Sequence, residues 1–285
     1  MHEKKSKNAL KLPSILYGTA WKEAQTESLV FQALKLGFNG IDTANQRKHY
    51  YEEGVGAGLA QFLKTGEKTR QDLFIQTKFT LAQGQDERKP YNEFDSLTKQ
   101  VKQSFLSSLN HLQTDYIDSY ILHGPSLSQG IIKDDLEIWQ AMEELVKEGK
   151  VKFLGISNIN NKQLETLYNT VSIKPSFVQN RCFANTQWDK ENRLFCERNS
   201  IIYQGFSLLT ANLSYLLTPV MYSIAKKYSK SIPQIIFRFA QQINILSLTG
   251  TTKAEHMRDD LNLNDFELTI EEIDYIECLG VNANS

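Results

Sequence analysis

Residues 116–158 contain a complete strand–helix–strand pattern. It begins with the apolar run "YIDSYILHG" (116–124), continues through the amphipathic "LEIWQAMEELVKEG" (136–149) and ends on a second apolar run, "VKFLGISN" (151–158). Neither run alternates strictly between apolar and polar residues, which is typical of strands buried on both faces of a parallel sheet. The stretch therefore predicts two parallel strands connected by a helix.

The same alternation extends to both ends of the chain. Further apolar runs, each followed by a helical pattern, lie at 14–20, 39–44, 72–79, 176–182, 201–208 and 244–251. Eight such units over roughly 250 residues predict an α/β fold of the (β/α)8 TIM-barrel type. An open doubly wound sheet is the alternative, but no G-x-G-x-x-G follows the first strand. With no linker or repeat, we predict one domain over residues 1–285, with a loosely ordered segment at 1–13.

Composition excludes several classes of function. The formal net charge of -1 gives no electrostatic reason to expect nucleic acid or an anionic membrane as a partner. No apolar run is long enough to span a bilayer, and the start "MHEKKSKNALKLPS" lacks the apolar core of a secretion signal. The three cysteines show neither metal-ligand nor redox spacing, so we predict no metal site and a cytoplasmic location.

Polar residues follow the predicted strands where a barrel builds its active site, at the carboxyl ends. They are Asp42, Lys78, His123, Ser157, Asn158, Gln179, Asn180, Thr251 and Thr252. A single such residue is more often structural, and Ser157 with Asn158 can equally cap the next helix. Several converging polar groups at one end of a barrel favour a binding site.

The polar residues at the ends of the second, third and fourth strands can together support acid catalysis. Asp42 and Lys78 would form a partly buried ion pair, and a cation beside a phenol is expected to lower the tyrosine pKa. A tyrosine tuned in this way can donate its proton to a carbonyl oxygen while a hydride reaches the carbon. His123 could orient that oxygen through a second hydrogen bond. The loop after Asp42 ends in "HYY", so Tyr50 and Tyr51 are both available.

These motifs resemble the aldo-keto reductase family over nearly the whole chain. The resembling stretches are "GFNGIDTA", "EEGVGAGL", "LFIQTKF", "LNHLQTDYIDSYILHGP", "EIWQAMEELVKEGKVKFLGISN" and "HMRDDLNLNDFELTIEEI". The resemblance implies a (β/α)8 barrel that reduces small aldehydes and ketones with NADPH, without a metal. It implies a catalytic set of Asp42, Lys78, His123 and a tyrosine. The cofactor-binding positions it implies or leaves available are Ser157, Asn158, Gln179, Phe206, Thr251, Thr252 and Arg258.

The loop that carries the tyrosine departs from the family pattern. The family usually places its catalytic tyrosine five residues after the aspartate and three before the glutamate, where this chain has Arg47 and His49. The loop is therefore two residues longer. We favour Tyr50 as the acid, then Tyr51, with His49 a distant third. His49, the unused tyrosine and Trp21 are candidates for the wall of the substrate pocket.

Two further departures affect the cofactor and the substrate. The lysine and arginine that usually meet the 2′-phosphate are Gly250 and His256 here, although Lys253 and Arg258 are near enough to replace them. NADPH is preferred by resemblance, and NADH is possible. The last helical pattern ends at Leu279, so only "GVNANS" could cover the mouth. An open mouth favours loose selection among small carbonyl compounds.

Other classes of function stay open at this point. One is a catalytically weak sensor or interaction protein that binds a nicotinamide cofactor on the same fold. Another is an isomerase or lyase barrel that binds no nicotinamide. We expect a monomer or a weak homo-oligomer.

Overall fold

Eight parallel strands form a closed barrel in the computed structural model, which describes residues 12–282. Each strand pairs in parallel with the next, and the last pairs with the first. The predicted (β/α)8 barrel is therefore confirmed. The strands are β1 (Ile15–Gly18), β2 (Gly40–Asp42), β3 (Phe74–Phe79), β4 (Ile117–Leu122), β5 (Val151–Ser157), β6 (Phe177–Arg181), β7 (Ile202–Phe206) and β8 (Ile245–Thr249).

Helices connect the strands and surround the barrel. They are α1 (Thr26–Leu36), α2 (Glu52–Leu63), α3 (Leu97–Leu112), α4 (Lys133–Lys147), α5 (Asn161–Thr170), α6 (Lys190–Arg198), α7 (Leu213–Leu216), α8 (Pro219–Tyr228), α9 (Ile232–Gln242), α10 (Ala254–Leu261), α11 (Ile270–Glu277) and α12 (Leu279–Asn282). Between residues 12 and 282, no helix is both long and apolar enough to cross a bilayer.

Pro233 lies in the first turn of α9, where its missing N–H costs nothing. One sequence prediction about the helices needs correction. The segment after Leu279 is not a bare tail, because residues 279–282 form a short helix. Gly280 packs so closely there that an added Cβ would lie 2.2 Å from the Asn185 backbone nitrogen.

The predicted loose segment at 1–13 falls mostly outside the described residues. Only its last two residues, Leu12 and Pro13, are described, and Pro13 is buried. Pro13 packs against β2, since a Cβ on Gly40 would approach its Cγ to 2.5 Å. The end of the segment thus contributes to the bottom of the barrel.

The interior of the barrel changes character from bottom to top. Its lower part is filled by a small apolar cluster of Leu16, Phe74, Ile121, Phe177 and Leu246. Side chains two apart on a strand share a face, so Phe74, Gln76 and Lys78 of β3 lie one above the other inside the barrel. The larger apolar core fills the layer between strands and helices. The polar upper interior leads directly into the cavity described next.

Candidate active site

A cavity of about 1250 Å³ opens at the carboxyl ends of the strands. Of the residues that the sequence singles out, those lining it are Trp21, Asp42, His49, Tyr50, His123, Ser157, Asn158, Gln179, Phe206 and Thr251. Lys78 lies beneath the cavity wall, fully buried. Tyr51, Thr252 and Arg258 are not part of the lining.

The buried ion pair of Asp42 and Lys78 forms the floor of the cavity. Lys78 Nζ donates to both carboxylate oxygens, at 2.7 and 2.8 Å, and to the Thr43 carbonyl at 2.8 Å. All three ammonium protons are therefore engaged. Burial lowers the pKa of Lys78, and the adjacent carboxylate opposes this effect by stabilising the ammonium.

Tyr50 enters the cavity because the longer loop makes a turn before it. The backbone nitrogens of His49 and Tyr50 both donate to the Gln46 carbonyl at 3.0 Å. The Tyr50 ring then lies with its centroid 5.3 Å from Lys78 Nζ and 6.0 Å from the His123 ring centroid. The phenol makes no hydrogen bond within residues 12–282, so its hydroxyl is open to a bound molecule.

Tyr51 turns away from the cavity and does not line it, so its assignment to the pocket wall stays a prediction. Its ring lies beneath the Arg47 guanidinium, 4.6 Å from centroid to Cζ. On the other side it contacts the first turn of α2, where a Cβ on Gly54 would come within 2.7 Å of its Cδ1. The second tyrosine therefore anchors the loop to the helix.

His49 and Trp21 form one side of the mouth. Their rings lie 4.1 Å apart between centroids, and Trp21 is 69% exposed. His49 Nδ1 is 3.0 Å from the Gln46 Oε1. Burial, followed by the nearby Lys48 charge, lowers the pKa of His49. The two rings form an aromatic surface at the mouth of the cavity.

The expected lowering of the tyrosine pKa does not occur in the free site. Burial raises the pKa of Tyr50 well above its ordinary value, and the Asp42 carboxylate raises it further. Lys78 fails to offset this because Asp42 already neutralises its charge at 2.7 Å. Tyr50 is therefore a fully protonated phenol at neutral pH, a proton donor rather than a base.

His123 is held as a neutral ring on the other side of Tyr50. Its Nδ1 lies 2.6 Å from the Thr80 hydroxyl. Burial and the Lys78 charge lower the pKa of His123 to about 3. If Thr80 donates to Nδ1, the neutral ring carries its proton on Nε2, where it can donate to an oxygen in the cavity.

Ser157 and Asn158 do not cap the following helix. Asn160 does so, since its side chain accepts from the Gln163 backbone nitrogen at 2.9 Å. Asn158 instead has a left-handed backbone, with φ of 52°, and its Nδ2 donates to the His123 carbonyl at 2.8 Å. This contact fixes Asn158 beside Ser157 at the cavity wall.

The β8 end of the cavity is less densely bonded than the floor. Gly250, Thr251, His256 and Asp259 line it, whereas the predicted Thr252 and Arg258 are exposed outside it. The structure does not bring those two residues into the cavity lining, and their assignment to the cofactor site stays a prediction. Asp260 also lines this end, but it is buried and accepts a hydrogen bond from the Thr249 hydroxyl at 2.6 Å.

The sequence analysis missed a lysine that reaches this end from another strand. Lys22, in the loop after β1, lines the cavity, and its Nζ donates to the Gly250 carbonyl. A Cβ on Gly250 would lie 3.5 Å from Lys22 Nζ, an ordinary contact distance, so the two residues are direct neighbours. No pattern in the sequence pairs these residues, which are 228 positions apart.

Three other contributors were also missed. Thr80 positions His123, and Arg181 lines the cavity with its Cζ 5.7 Å from the Phe206 ring centroid. Gln76 lies two residues before Lys78 and contacts Asp42. Gln76 carried a signal that the sequence shows, because an amide inside a fully buried strand requires a partner.

Comparison with known proteins agrees with this geometry. Residues 15–280 match the model of the aldo/keto reductase family. The chain belongs to this family. A glyoxal reductase from Bacillus subtilis (strain 168) is 33% identical over 255 residues, covering 90% of this chain and 83% of the relative.

Solved aldo-keto reductase structures share the fold. An aldo/keto reductase from Brucella melitensis has a TM-score of 0.79 at 30% identity, covering 94% of this chain and 95% of that one. A Bombyx mori aldo-keto reductase in complex with NADP has a TM-score of 0.78 at 26% identity, covering 94% and 89%. The predicted family and fold are thus confirmed, while the role of each residue remains a prediction.

Proposed function

We propose that this aldo-keto reductase reduces small aldehydes and ketones to alcohols by direct hydride transfer from a reduced nicotinamide cofactor. The observation that carries the proposal is the meeting of Tyr50, the Asp42–Lys78 pair and His123 at one cavity floor. A phenol with a free hydroxyl, a buried cation and a neutral imidazole are the groups that protonation of a carbonyl oxygen requires.

Each residue has a definite part in this chemistry. A reduced nicotinamide held in this cavity would supply the hydride for the carbonyl carbon. The Tyr50 hydroxyl gives its proton to the carbonyl oxygen, and the Lys78 ammonium stabilises the phenolate that remains. His123 donates a hydrogen bond to the same oxygen and sets its direction. Asp42 keeps Lys78 charged and in place.

The cavity suits a nicotinamide dinucleotide. The Phe206 ring offers an aromatic face at the end of β7, and Ser157, Asn158 and Gln179 offer polar groups for a carboxamide. Lys22 and His256 are candidate partners for a phosphate at the β8 end. We propose NADPH as the preferred cofactor with NADH also accepted, because the replaced cations weaken discrimination. A cytoplasmic location stays a prediction.

The test is direct. The protein is mixed with NADPH, or with NADH, and a reactive aromatic aldehyde, and the loss of reduced-nicotinamide absorbance is followed. The proposal expects steady turnover with both cofactors, faster with NADPH. Cofactor binding without turnover would favour the sensor function instead. No binding by fluorescence quenching would contradict both and favour a non-redox barrel.

A further inference from the structure

Three buried glutamines and Asp42 form one hydrogen-bonded network beneath the cavity. Gln76 Nε2 donates to Asp42 Oδ1 at 2.7 Å and to Gln204 Oε1 at 2.8 Å. Gln179 Nε2 makes the same two contacts, at 3.0 and 2.9 Å. Gln204 Nε2 returns a bond to Gln76 Oε1 at 2.9 Å. Gln76 and Gln204 are fully buried and reach each other across the barrel interior.

The charge of Asp42 determines the direction of every amide in this network. An ionised carboxylate only accepts hydrogen bonds, so the atoms of Gln76 and Gln179 that face it must be nitrogens. Both nitrogens also contact one atom of Gln204, which must therefore be its oxygen. The Gln204 nitrogen is then directed to the Gln76 oxygen. No other arrangement of the three amides satisfies all five contacts.

One polar atom is left over, and it faces the cavity. Both protons of the Gln179 amide are used below, by Asp42 and Gln204. Its Oε1 makes no hydrogen bond among the described residues, and Gln179 lines the cavity. Gln76 and Gln204 do not line it, so any effect they have on a ligand passes through Gln179 or Asp42.

We propose that Gln204, oriented by Gln76, is a positioning residue that locks the Gln179 amide with its oxygen towards the cofactor. Gln179 then meets a carboxamide through its N–H2 group, which donates to Oε1. This inference rests on the proposed function, because it takes the ligand to be a nicotinamide. The hydrogen bonds of this network connect Asp42, which holds Lys78, to Gln179, which faces the cofactor.

The orientation of Gln179 in the wild-type protein is tested with two dinucleotides that differ only at the carboxamide group. In 3-acetylpyridine adenine dinucleotide phosphate a methyl ketone replaces the carboxamide, so the carbonyl oxygen is kept and the N–H2 donor is lost. Binding of this analogue and of NADP+ is measured by quenching of tryptophan fluorescence. If the Gln179 amide is held in this orientation, the analogue should bind about three- to tenfold more weakly than NADP+, the usual loss for one hydrogen bond.

Variants at Gln204 separate positioning from packing. Gln204→Met has similar length but accepts no strong hydrogen bond, and it should reduce the preference for NADP+ about threefold, with the analogue affected less. Gln204→Glu should restore the preference, because a protonated carboxyl accepts from Gln179 and donates to the Gln76 oxygen. The control is Ser119→Ala, since Ser119 is buried beside Gln76 in the sheet and its hydroxyl has no partner in the described chain.

The outcomes are distinct. Failure to bind either dinucleotide would overturn the proposed function and this inference with it. Equal binding of both by the wild-type protein would overturn only the inference, and needs no variant to fold. A folded Gln204→Met protein that keeps the full preference would also overturn it. Loss of the preference in Gln204→Met, recovery in Gln204→Glu and no change in Ser119→Ala would support it.

Discussion

The two ends of the cavity are built differently. At the floor, Asp42 accepts from Lys78 and from two glutamine amides, and all four side chains are buried. At the β8 end, Lys22 makes one contact to a backbone carbonyl, while His256 and Asp259 are exposed. The floor holds each group through several buried hydrogen bonds, whereas the charged groups of the outer end have fewer contacts and are more exposed.

This difference indicates which step each end can control. A saturated, buried network fixes charges without reorganisation, which is what stabilisation of a developing charge requires. Exposed charges are screened by water and contribute little each. We therefore expect substitutions at the floor to change the chemical step strongly, and substitutions at the β8 end to change cofactor preference weakly.

The largest effect is expected from Lys78→Met. The substitution leaves the buried Asp42 without its cation, which should cost about 3–5 kcal/mol of unfolding free energy. Turnover, assayed at a temperature where the variant is folded, should fall by about a hundredfold to ten-thousandfold, as when an acid–base group is lost. The control is Lys35→Met, which removes an exposed ion pair with Glu67. Turnover within a few-fold of wild type in Lys78→Met would show that the Asp42–Lys78 pair does not contribute to the chemical step.

An intermediate effect is expected at Asp260, and it depends on pH. Burial raises the pKa of Asp260 to about 6, so its ionisation opposes folding. The stability present below the unfolded pKa, near 3.9, is lost as the pH rises through 6. Asp260→Asn keeps an oxygen for the Thr249 hydroxyl. Its free energy of unfolding should be about 2–3 kcal/mol higher than that of the wild type near pH 8 and nearly equal to it near pH 4.

Urea unfolding at both pH values measures this effect. Asp259→Asn, on the exposed neighbour, is the control and should change the free energy of unfolding by less than about 0.5 kcal/mol. An equal gain at both pH values would show that packing rather than ionisation is responsible. The ionisation of Asp260 would then not set it apart from the exposed residues at the β8 end.

The smallest effect is expected from Lys22→Met. Loss of this cation should raise the dissociation constant for NADPH about three- to tenfold and that for NADH less, because only NADPH carries the extra phosphate. Lys253→Met is the matched control, since Lys253 is exposed and does not line the cavity. Fluorescence quenching titrations give both constants. A larger loss in Lys253→Met than in Lys22→Met would reverse the assignment of the phosphate partner.

The barrel and its floor could be predicted from the sequence because both depend on local patterns. Buried parallel strands appear as apolar runs, and Asp42, Lys78 and His123 each stand directly at the end of one. Tyr50 could be ranked before Tyr51 from the sequence, but the direction of each ring depends on a turn at Gln46 and on packing of Tyr51 against α2. The pairing of Lys22 with Gly250 was equally hidden, because it joins the first and last strands.

Part of the glutamine network could have been predicted from the sequence but was not. Gln76 and Lys78 share one face of β3, so an amide two residues below a charged group was bound to lie inside the barrel. Its partners on β6 and β7 follow only from closure of the sheet. The tyrosine pKa was predicted in the wrong direction because burial raises it and the Asp42 carboxylate raises it further.

The central claim is that Tyr50, and not its neighbour, is the general acid. It is tested most directly by comparing the turnover of Tyr50→Phe and Tyr51→Phe with NADPH and a reactive aromatic aldehyde, with cofactor binding measured in parallel. We expect Tyr50→Phe to bind cofactor normally but to lose turnover by about a hundredfold to ten-thousandfold. We expect Tyr51→Phe to retain most of its activity. Near wild-type turnover in Tyr50→Phe, with loss in Tyr51→Phe or His49→Gln, would contradict the assignment of Tyr50.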